Sequence, residues 1–314
     1  MTKKIATREA YGEALIEVGK KNPNVVVLDA DLSKSTKTAG FSKNFPERFF
    51  NMGISEQNMM GTAAGLATTG KTPFASTFAM FATGRAFEII RNSIGYPSLN
   101  VKVCATHAGL TVGEDGASHQ ALEDISCMRT IPNMTVIVPA DAVETKAAIH
   151  AIAEMEGPVY VRLGRAGVPI INDEESYKYE IGKGVLLKDG KDATLIATGI
   201  MVGEALEASK ILEEKGLFVR VINIHTIKPI DKELIIKAAK ETGAIVTVEE
   251  HNVIGGLGSA VAEVVVENYP VPMKRIGTLD TFGESGKPDE LLKKYGLTKE
   301  EMVKAVEEII KRKA

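Results

Sequence analysis

Short runs of apolar residues, unbroken by polar ones, limit the folds open to this chain of 314 residues. In the first half they are VVVLD, VKVCAT, TVIVPA and VYVRL, and in the second half ATLIATG, VRVINI and AIVTVEE. A strand without alternating polar positions is typical of a parallel sheet buried on both faces. Helical periodicity separates these runs at 142–155, 202–215 and 232–241. The alternation predicts an α/β fold of two domains, each a mostly parallel sheet with helices on both faces.

The two domains are separated by an irregular stretch. From residue 164 to 184 the periodicity lapses in GRAGVPIINDEESYKYEIGKG, where Gly, Pro, Asn and acidic residues accumulate. Such composition is typical of a domain boundary. We therefore predict a first domain at 1–170, a linker at 171–184 and a second domain at 185–314.

Composition argues against several classes of function. The net charge is −3 and no block of Lys or Arg stands out, which disfavours nucleic-acid binding. The sequence shows no apolar run of membrane length and no signal-peptide core, so we expect no membrane association. Two cysteines, Cys104 and Cys127, without CxxC spacing suit a reducing cytosol. The composition predicts a soluble, cytoplasmic protein.

The stretch from Phe49 to Phe81 contains one carboxylate, Glu56, and ends in Phe78 and Phe81. Aromatic faces offer apolar contact to a planar ring, so the pattern indicates a pocket for a flat heterocycle that needs one charged contact. Two alternatives are an acid stabilised by the dipole of its own helix and a pair of core phenylalanines. Small residues within 54–67 allow a neighbouring helix to approach closely, often across a subunit interface.

The loop THAGLTVGEDGASHQ concentrates titratable groups between glycines, namely His107, Glu114, Asp115 and His119. Such density in a loop indicates function, and imidazole is suited to proton transfer because it titrates near neutrality. The alternatives are a surface turn at Asp115 and a metal cluster. The separation of the two histidines is not a usual chelate spacing, which disfavours the metal.

Three motifs, GISEQN, STFAMF and THAGLTVGEDGASHQ, resemble transketolase, a family of enzymes that depend on thiamine diphosphate. The resemblance extends from about Thr7 to the C-terminus. It implies that Glu56 is catalytic and bonds the aminopyrimidine ring of the cofactor, and that Phe78 and Phe81 pack against this ring. It also places Asp31, which follows the first strand, in the cofactor site.

The same resemblance implies the residues that bind substrate. His107 and His119 would bond the sugar oxygens and shuttle protons as catalytic residues, while Asp115 would read a hydroxyl. Arg8, Ser35 and an arginine after the VYVRL strand would hold the sugar phosphate, because the planar fork of arginine binds phosphate oxygens in pairs. Both arginines of that region, at positions 162 and 165, are candidates, and our interpretation favours Arg165.

One element of the family is missing from this sequence. Transketolases hold Mg²⁺ and the diphosphate through a GDG motif and a later Asn, and neither GEDG nor KDGK fits that pattern. The resemblance therefore implies an N-terminal partner subunit that carries the diphosphate-binding domain and the Mg²⁺ ligands, with thiamine diphosphate shared between the chains. We expect this chain to self-associate into a dimer and to form a heterotetramer with two partner chains. No metal site is expected on this chain.

The resemblance implies transfer of a two-carbon ketol unit from a ketose phosphate to an aldose phosphate, a reaction of the pentose phosphate pathway. One alternative is 1-deoxyxylulose-5-phosphate synthase, which shares a segment similar to VTVEEHNVIGGLGSAV but is disfavoured by His107. A second is the β subunit of a 2-oxoacid dehydrogenase, for which the sugar-phosphate residues would have no use. A third is a non-catalytic scaffold, which the presence of Glu56 and both loop histidines disfavours.

Overall fold

The computed structural model describes residues 3–313, which form two large β-sheets, one two-stranded sheet and the helices that cover them. The strands are β1 (Lys4–Ala6), β2 (Val25–Asp29), β3 (Phe49–Asn51), β4 (Thr72–Phe78), β5 (Lys102–Thr106), β6 (Thr135–Ile137), β7 (Val159–Arg162), β8 (Gly167–Pro169), β9 (Val185–Lys188), β10 (Ala193–Ala197), β11 (Val219–Asn223), β12 (Thr226–Lys228), β13 (Ile245–Asn252) and β14 (Met273–Thr278). In the small sheet, β1 pairs antiparallel with β8.

The connections between strands are mostly helical. The α-helices are α1 (Thr7–Lys21), α2 (Ser33–Thr36), α3 (Ala39–Asn44), α4 (Glu56–Thr68), α5 (Phe87–Ile89), α6 (Asp124–Arg129), α7 (Ala142–Glu154), α8 (Met201–Glu214), α9 (Lys232–Thr242), α10 (Leu257–Asn268), α11 (Pro288–Lys294) and α12 (Lys299–Ile310). Pro46–Arg48 and Leu110–Val112 form 3-10 turns. Phe81–Arg85 and Ile90–Gly95 are π-helical, a rare geometry that often occurs near functional sites.

The first large sheet has the order β12-β6-β7-β5-β4-β2-β3, and only the β12–β6 pair is antiparallel. Every residue of β2 is buried. Val25 and Val27 belong to the apolar cluster that includes α1 and α7, whereas Val26 and Leu28 belong to the cluster on the α4 side. Because both faces of the strand are covered, an unbroken apolar run is the pattern it requires.

The second large sheet has the order β14-β13-β10-β11-β9, with β9 antiparallel at one edge. Its two faces are also covered. Leu195 packs in a cluster with α8 and α12, while its neighbour Ile196 packs in a cluster with α9 and α10. The predicted α/β fold, with two mostly parallel sheets covered on both faces, is therefore confirmed.

The two halves of the chain are joined by more than a linker. Strand β12 comes from the second half but extends the first sheet, and the Val138 N–H donates to the His225 carbonyl at 2.8 Å. At the same junction, Glu144 of α7 accepts a hydrogen bond from Asn223 of β11 at 2.8 Å and another from Tyr177. The domain limits of 1–170, 171–184 and 185–314 remain a prediction.

The parallel strands of the first sheet bring the predicted site residues toward one edge. Ser35, Glu56, Phe81, His107 and Arg165 follow β2, β3, β4, β5 and β7, respectively. Because parallel strands end at the same edge, these residues begin from neighbouring points. This edge is the part of the fold where a ligand site is expected.

Three further observations concern metals, membranes and thiols. Across residues 3–313, no helix is both long and apolar enough to cross a bilayer. In that same range, no group of three or more His, Cys, Asp or Glu side chains is arranged to hold a metal ion. Both cysteines are free thiols, and Cys104 is buried.

Candidate active site

Glu56, the first residue of α4, is a buried carboxylate with 2% of its side chain exposed. Arg85 Nη1 donates a hydrogen bond to Glu56 Oε2 at 2.9 Å. The guanidinium of Arg85 also lies 4.9 Å from the centroid of the Phe81 ring, and half of the Arg85 side chain is exposed. Arg85 is therefore a counterion that solvent can reach, whereas its carboxylate partner is shielded.

Next to this ion pair lies an apolar surface made of aromatic rings. Phe78 ends β4 and Phe81 begins the following π-helical segment, and their rings lie 18° from parallel with centroids 5.9 Å apart. The ring of His119 meets Phe81 edge-on at 5.3 Å, and its Nδ1 lies 2.9 Å from Ser118 Oγ. A buried carboxylate beside aromatic faces fits a planar heterocycle with one ionic contact, as the aminopyrimidine ring of thiamine diphosphate requires.

His107 is held as a neutral imidazole of defined tautomer. Arg8 Nη1 lies 3.2 Å from His107 Nε2, and because a guanidinium only donates, Nε2 must accept. The proton is then on Nδ1, which donates to Thr106 Oγ1 at 2.8 Å. Burial, reinforced by the charges of Arg8 and Arg165, lowers the pKa of His107 to about 3. Its ring stacks on Phe78 with centroids 3.9 Å apart, which joins it to the aromatic surface.

Two guanidinium groups lie beyond His107. Arg8 also donates to the Ser35 carbonyl at 2.9 Å, so Ser35 joins the site through its backbone. Arg165 donates to the Val112 carbonyl and lies 3.5 Å from the carboxylate of Glu114 and 3.7 Å from that of Asp115. Its side chain is 37% exposed. This end of the site presents two guanidinium groups, and the one of Arg165 is partly exposed, which suits an anionic group of a ligand.

Two residues considered from sequence lie apart from this connected set. The carboxylate of Asp31 accepts a hydrogen bond from Asn51 at 3.0 Å, and within residues 3–313 no hydrogen bond joins it to a predicted site side chain. Arg162 is 7% exposed and donates to Asp124 at 2.8 Å, so its guanidinium is committed to the protein interior. The geometry thus agrees with the preference for Arg165, while the role of each residue remains a prediction.

Family comparisons agree with this arrangement. Residues 3–170 match the model of the transketolase pyrimidine binding domain, and residues 182–302 match the model of the transketolase C-terminal domain. The chain belongs to the transketolase family. The resemblance inferred from the three sequence motifs is confirmed.

Relatives include proteins that correspond to one part of a transketolase. A Methanocaldococcus jannaschii protein named "Putative transketolase C-terminal section" is 60% identical over 97% of this chain and 96% of its own length. A 6-deoxy-6-sulfo-D-fructose transketolase subunit of Clostridium sp. (strain MSTE9) is 44% identical over 98% of this chain and 95% of its own. A solved structure described as a split gene transketolase in an inactive beta4 tetramer superposes with a TM-score of 0.93, at 61% identity, over 99% of this chain and 100% of that one.

Two side chains of this candidate site are not predicted by the sequence motifs. Arg85 is not among the residues that the sequence motifs predict, yet it is the partner of Glu56. The signal was available, since a lone buried carboxylate requires a counterion and Arg85 follows β4 at the site edge, whereas Lys71 precedes that strand. No sequence pattern indicates Thr106, because its contact with His107 depends on the orientation of the two side chains.

Proposed function

We propose that this chain is the C-terminal-half subunit of a split transketolase, which transfers a two-carbon ketol unit from a ketose phosphate to an aldose phosphate. The observation that carries the proposal is a connected set of side chains. It begins at the buried carboxylate of Glu56, continues over the aromatic rings to His107, and ends at the guanidinium groups of Arg8 and Arg165. One end suits a cofactor ring and the other suits a sugar phosphate.

At the cofactor end, this chain would supply binding and proton placement. Thiamine diphosphate, when bound, supplies the carbon centre that accepts the two-carbon unit. Glu56 would hold a proton at the ring nitrogen N1′ of the pyrimidine, and its burial keeps water from competing for that contact. Phe78 and Phe81 would give the ring an apolar surface, and Asp31 is assigned to this end by family resemblance alone.

At the sugar end, the histidines would have different tasks. His107 is neutral near pH 7, so its Nε2 would accept a hydrogen bond from a sugar hydroxyl once Arg8 turns to the phosphate. His119 has only Nδ1 engaged among the contacts of the described residues, which leaves Nε2 to exchange a proton with a sugar oxygen. Asp115 would accept a hydrogen bond from a further hydroxyl.

The two arginines at the sugar end would select phosphorylated sugars. Arg8 and Arg165 would pair with phosphate oxygens, and the segment containing Ser35 would complete the site. We expect the physiological context to be the pentose phosphate pathway in the cytoplasm. The sulfo-sugar named for the Clostridium relative suggests that other anionic sugars should be included in assays.

The proposal includes a partner chain. An N-terminal transketolase subunit would carry the diphosphate-binding domain and the Mg²⁺ ligands, and two copies of each chain would form a heterotetramer. Support comes from the relatives described as a C-terminal section and as a split gene product. A dimer of this chain would form the centre of that assembly.

The proposal is tested by ketol transfer from xylulose 5-phosphate to ribose 5-phosphate with thiamine diphosphate and Mg²⁺. The chain is assayed alone and then with a GDG-containing N-terminal subunit. We expect activity only with the partner, and we expect Glu56→Ala in that complex to reduce kcat by at least about 100-fold, as for loss of a group that acts on the transition state. Gln57→Ala, an exposed neighbour on α4, is the control and should retain activity.

Two results would contradict the proposal. Activity of the chain alone would show that the diphosphate domain is not on a partner. No activity in a complex of verified composition would exclude ketol transfer between these sugars, and assays with pyruvate would then test the synthase and dehydrogenase alternatives.

A further inference from the structure

The second half of the chain reaches into the loop that holds the two site histidines. Glu250, near the carboxyl end of β13, is 3% exposed, and its Oε1 accepts the Thr111 N–H at 2.6 Å. Thr111 lies four residues after His107, in a 3-10 turn whose residues are all buried. This backbone contact spans 139 positions of sequence, so it joins the second sheet to the sugar loop, defined as residues 107–120.

A buried charge network fixes the position of Glu250. The guanidinium of Arg162 donates to the Glu250 carbonyl at 2.9 Å and lies 3.8 Å from its carboxylate. The same guanidinium donates to Asp124, which also accepts a hydrogen bond from Tyr160 at 2.7 Å. Arg162 and Tyr160 belong to β7 of the first sheet, so the two sheets hold the carboxylate of Glu250 between them.

The loop backbone is shaped around this carboxylate. Gly109 has φ of +82°, and a Cβ at that position would lie 2.3 Å from the carboxyl carbon of Glu250. The far end of the loop is held in a similar way, because Gln120 Nε2 donates to the carbonyls of Leu110 and Glu284 at 3.1 and 2.9 Å. Both ends of the sugar loop therefore depend on contacts from the second half.

The neighbouring residue provides a natural comparison. Glu249 is also fully buried on β13, but its carboxylate accepts the N–H groups of Leu257 and Gly258 at 2.7 and 2.8 Å. Successive side chains of a strand point to opposite faces, so Glu249 serves helix α10 and Glu250 serves the sugar loop. The two adjacent buried carboxylates thus differ mainly in the backbone segment to which each is hydrogen-bonded.

We propose that Glu250 is a positioning residue for the sugar loop: its carboxylate oxygen fixes the backbone at Thr111 and so sets the positions of His107 and His119. The second domain thereby contributes to substrate binding without touching substrate. The relation to sugar binding rests on the proposed function, whereas the control of the loop does not.

Hydrogen exchange of the full chain, followed by mass spectrometry, tests the control of the loop. Glu250→Met keeps the volume of the side chain but removes the acceptor, so amides at 109–113 should exchange at least about tenfold faster. Glu250→Gln keeps an acceptor oxygen and should stay within about twofold of the wild type. Glu249→Met is the matched control and should accelerate exchange at 257–258 only.

Three results would overturn the proposal: unchanged loop exchange in Glu250→Met, equal acceleration in Glu249→Met, or equal acceleration in Glu250→Gln. If Glu250→Met does not fold, Glu250→Leu, which also lacks an acceptor, replaces it under the same criteria for exchange at 109–113.

The effect on sugar binding is measured in the complex with the partner subunit. Glu250→Met should raise KM for the donor sugar about tenfold, because the histidines are displaced, while Glu249→Met should change KM less than about threefold. A KM change of the same size in both variants would overturn the link to substrate. Inactivity of the wild-type complex would instead refute the proposed function and leave the exchange results to decide the role of Glu250 in the loop.

Discussion

Glu56 and Arg85 form an ion pair whose two members differ sharply in exposure, at 2% and 50% of the side chain. Loss of the arginine would leave a buried carboxylate without a counterion, whereas loss of the carboxylate would leave a guanidinium that water can hydrate. The cost of an unpaired buried charge exceeds the net gain from a paired one. The two single substitutions should therefore have unequal effects.

We predict that Arg85→Ala lowers the free energy of unfolding by about 2 kcal/mol, which is the typical cost of leaving a buried polar group unsatisfied. Glu56→Gln should cost less than half as much, and the double variant should be more stable than Arg85→Ala alone. Urea unfolding of the four proteins measures this cycle. Arg91→Ala, which removes an exposed arginine bonded to Asn92, is the control and should change stability by less than about 0.5 kcal/mol. Equal losses for Arg85→Ala and Glu56→Gln would contradict the asymmetry.

At the scale of secondary-structure elements, the sequence predicts the long strands but not all of the segments that connect them. The run VVVLD predicts β2 because both faces of that strand are covered. The π-helical segment Phe81–Arg85 has no such signal, since its geometry differs from the 3.6-residue period by which helices are recognised. Strand β12 has only three residues and crosses to the other sheet, so tertiary pairing alone defines it.

The same distinction applies to the candidate site. The expected neighbours Phe81, His107 and His119 come from local motifs, and the structure does bring their side chains together. The contacts of Arg85 and Glu250 depend on distant parts of the chain. Glu250 ends the apolar run AIVTVEE, a position that in sequence resembles the solvated end of a strand, yet Glu250 is buried where the two sheets meet.

Helix α4 presents two glycines, Gly61 and Gly65, at which an added Cβ would meet no atom within 4 Å. Alanine is more favourable than glycine in a helix by about 0.5 to 1 kcal/mol, so a chain that acts alone would gain stability from either substitution. Alanine at these two exposed positions would make the helix more stable. The lack of a side chain there therefore indicates a role other than the stability of the monomer. Close approach of a second copy of this chain would explain them.

We predict that Gly61→Ala and Gly65→Ala each stabilise the monomer by about 0.5 to 1 kcal/mol and weaken self-association at least about tenfold. The physical reason is that the added methyl groups would separate the packed helices. Sedimentation equilibrium measures association, and urea unfolding at low protein concentration measures stability. Gly203→Ala is the matched control, because Gly203 lies in helix α8 and its Cβ would also meet open space. Unchanged association in the α4 variants would show that this helix face is not the interface.

At the scale of the whole molecule, buried titratable groups lie where the two halves meet. Burial raises the pKa of Glu250 to about 7, against the opposing effect of Arg162. Burial lowers the pKa of His225 to about 4, and this ring packs against Tyr179 of the predicted linker, with centroids 4.4 Å apart. The groups that act on Glu250 are Arg162 of β7, Asp124 of α6 and the N–H of Thr111, and Asp124 is itself bonded to Tyr160. Glu249 and His251 pair with each other, and their side chains point to the opposite face of β13.

The two shifts give stability a pH dependence of opposite sign. Between the ordinary carboxyl value of 4.5 and about 7, the folded protein keeps a proton on Glu250 that the unfolded chain has released, so the free energy of unfolding falls as pH rises. Between 6.5 and about 4, the unfolded chain binds a proton at His225 that the folded protein excludes, so the free energy of unfolding falls as pH falls.

We predict that the free energy of unfolding of Glu250→Gln rises by about 2 kcal/mol relative to that of the wild type as pH increases from 5 to 7, because glutamine has no charge to form. For His225→Asn, the free energy of unfolding should rise relative to that of the wild type as pH falls from 6.5 to 4.5. Urea unfolding at intervals of half a pH unit measures both differences. If the free energy of unfolding changed with pH in the same way for Glu250→Gln and the wild type, the raised pKa of Glu250 would be contradicted. The stability difference from the wild type grows with rising pH for Glu250→Gln and with falling pH for His225→Asn. A general loss of stability at one extreme of pH cannot produce both trends.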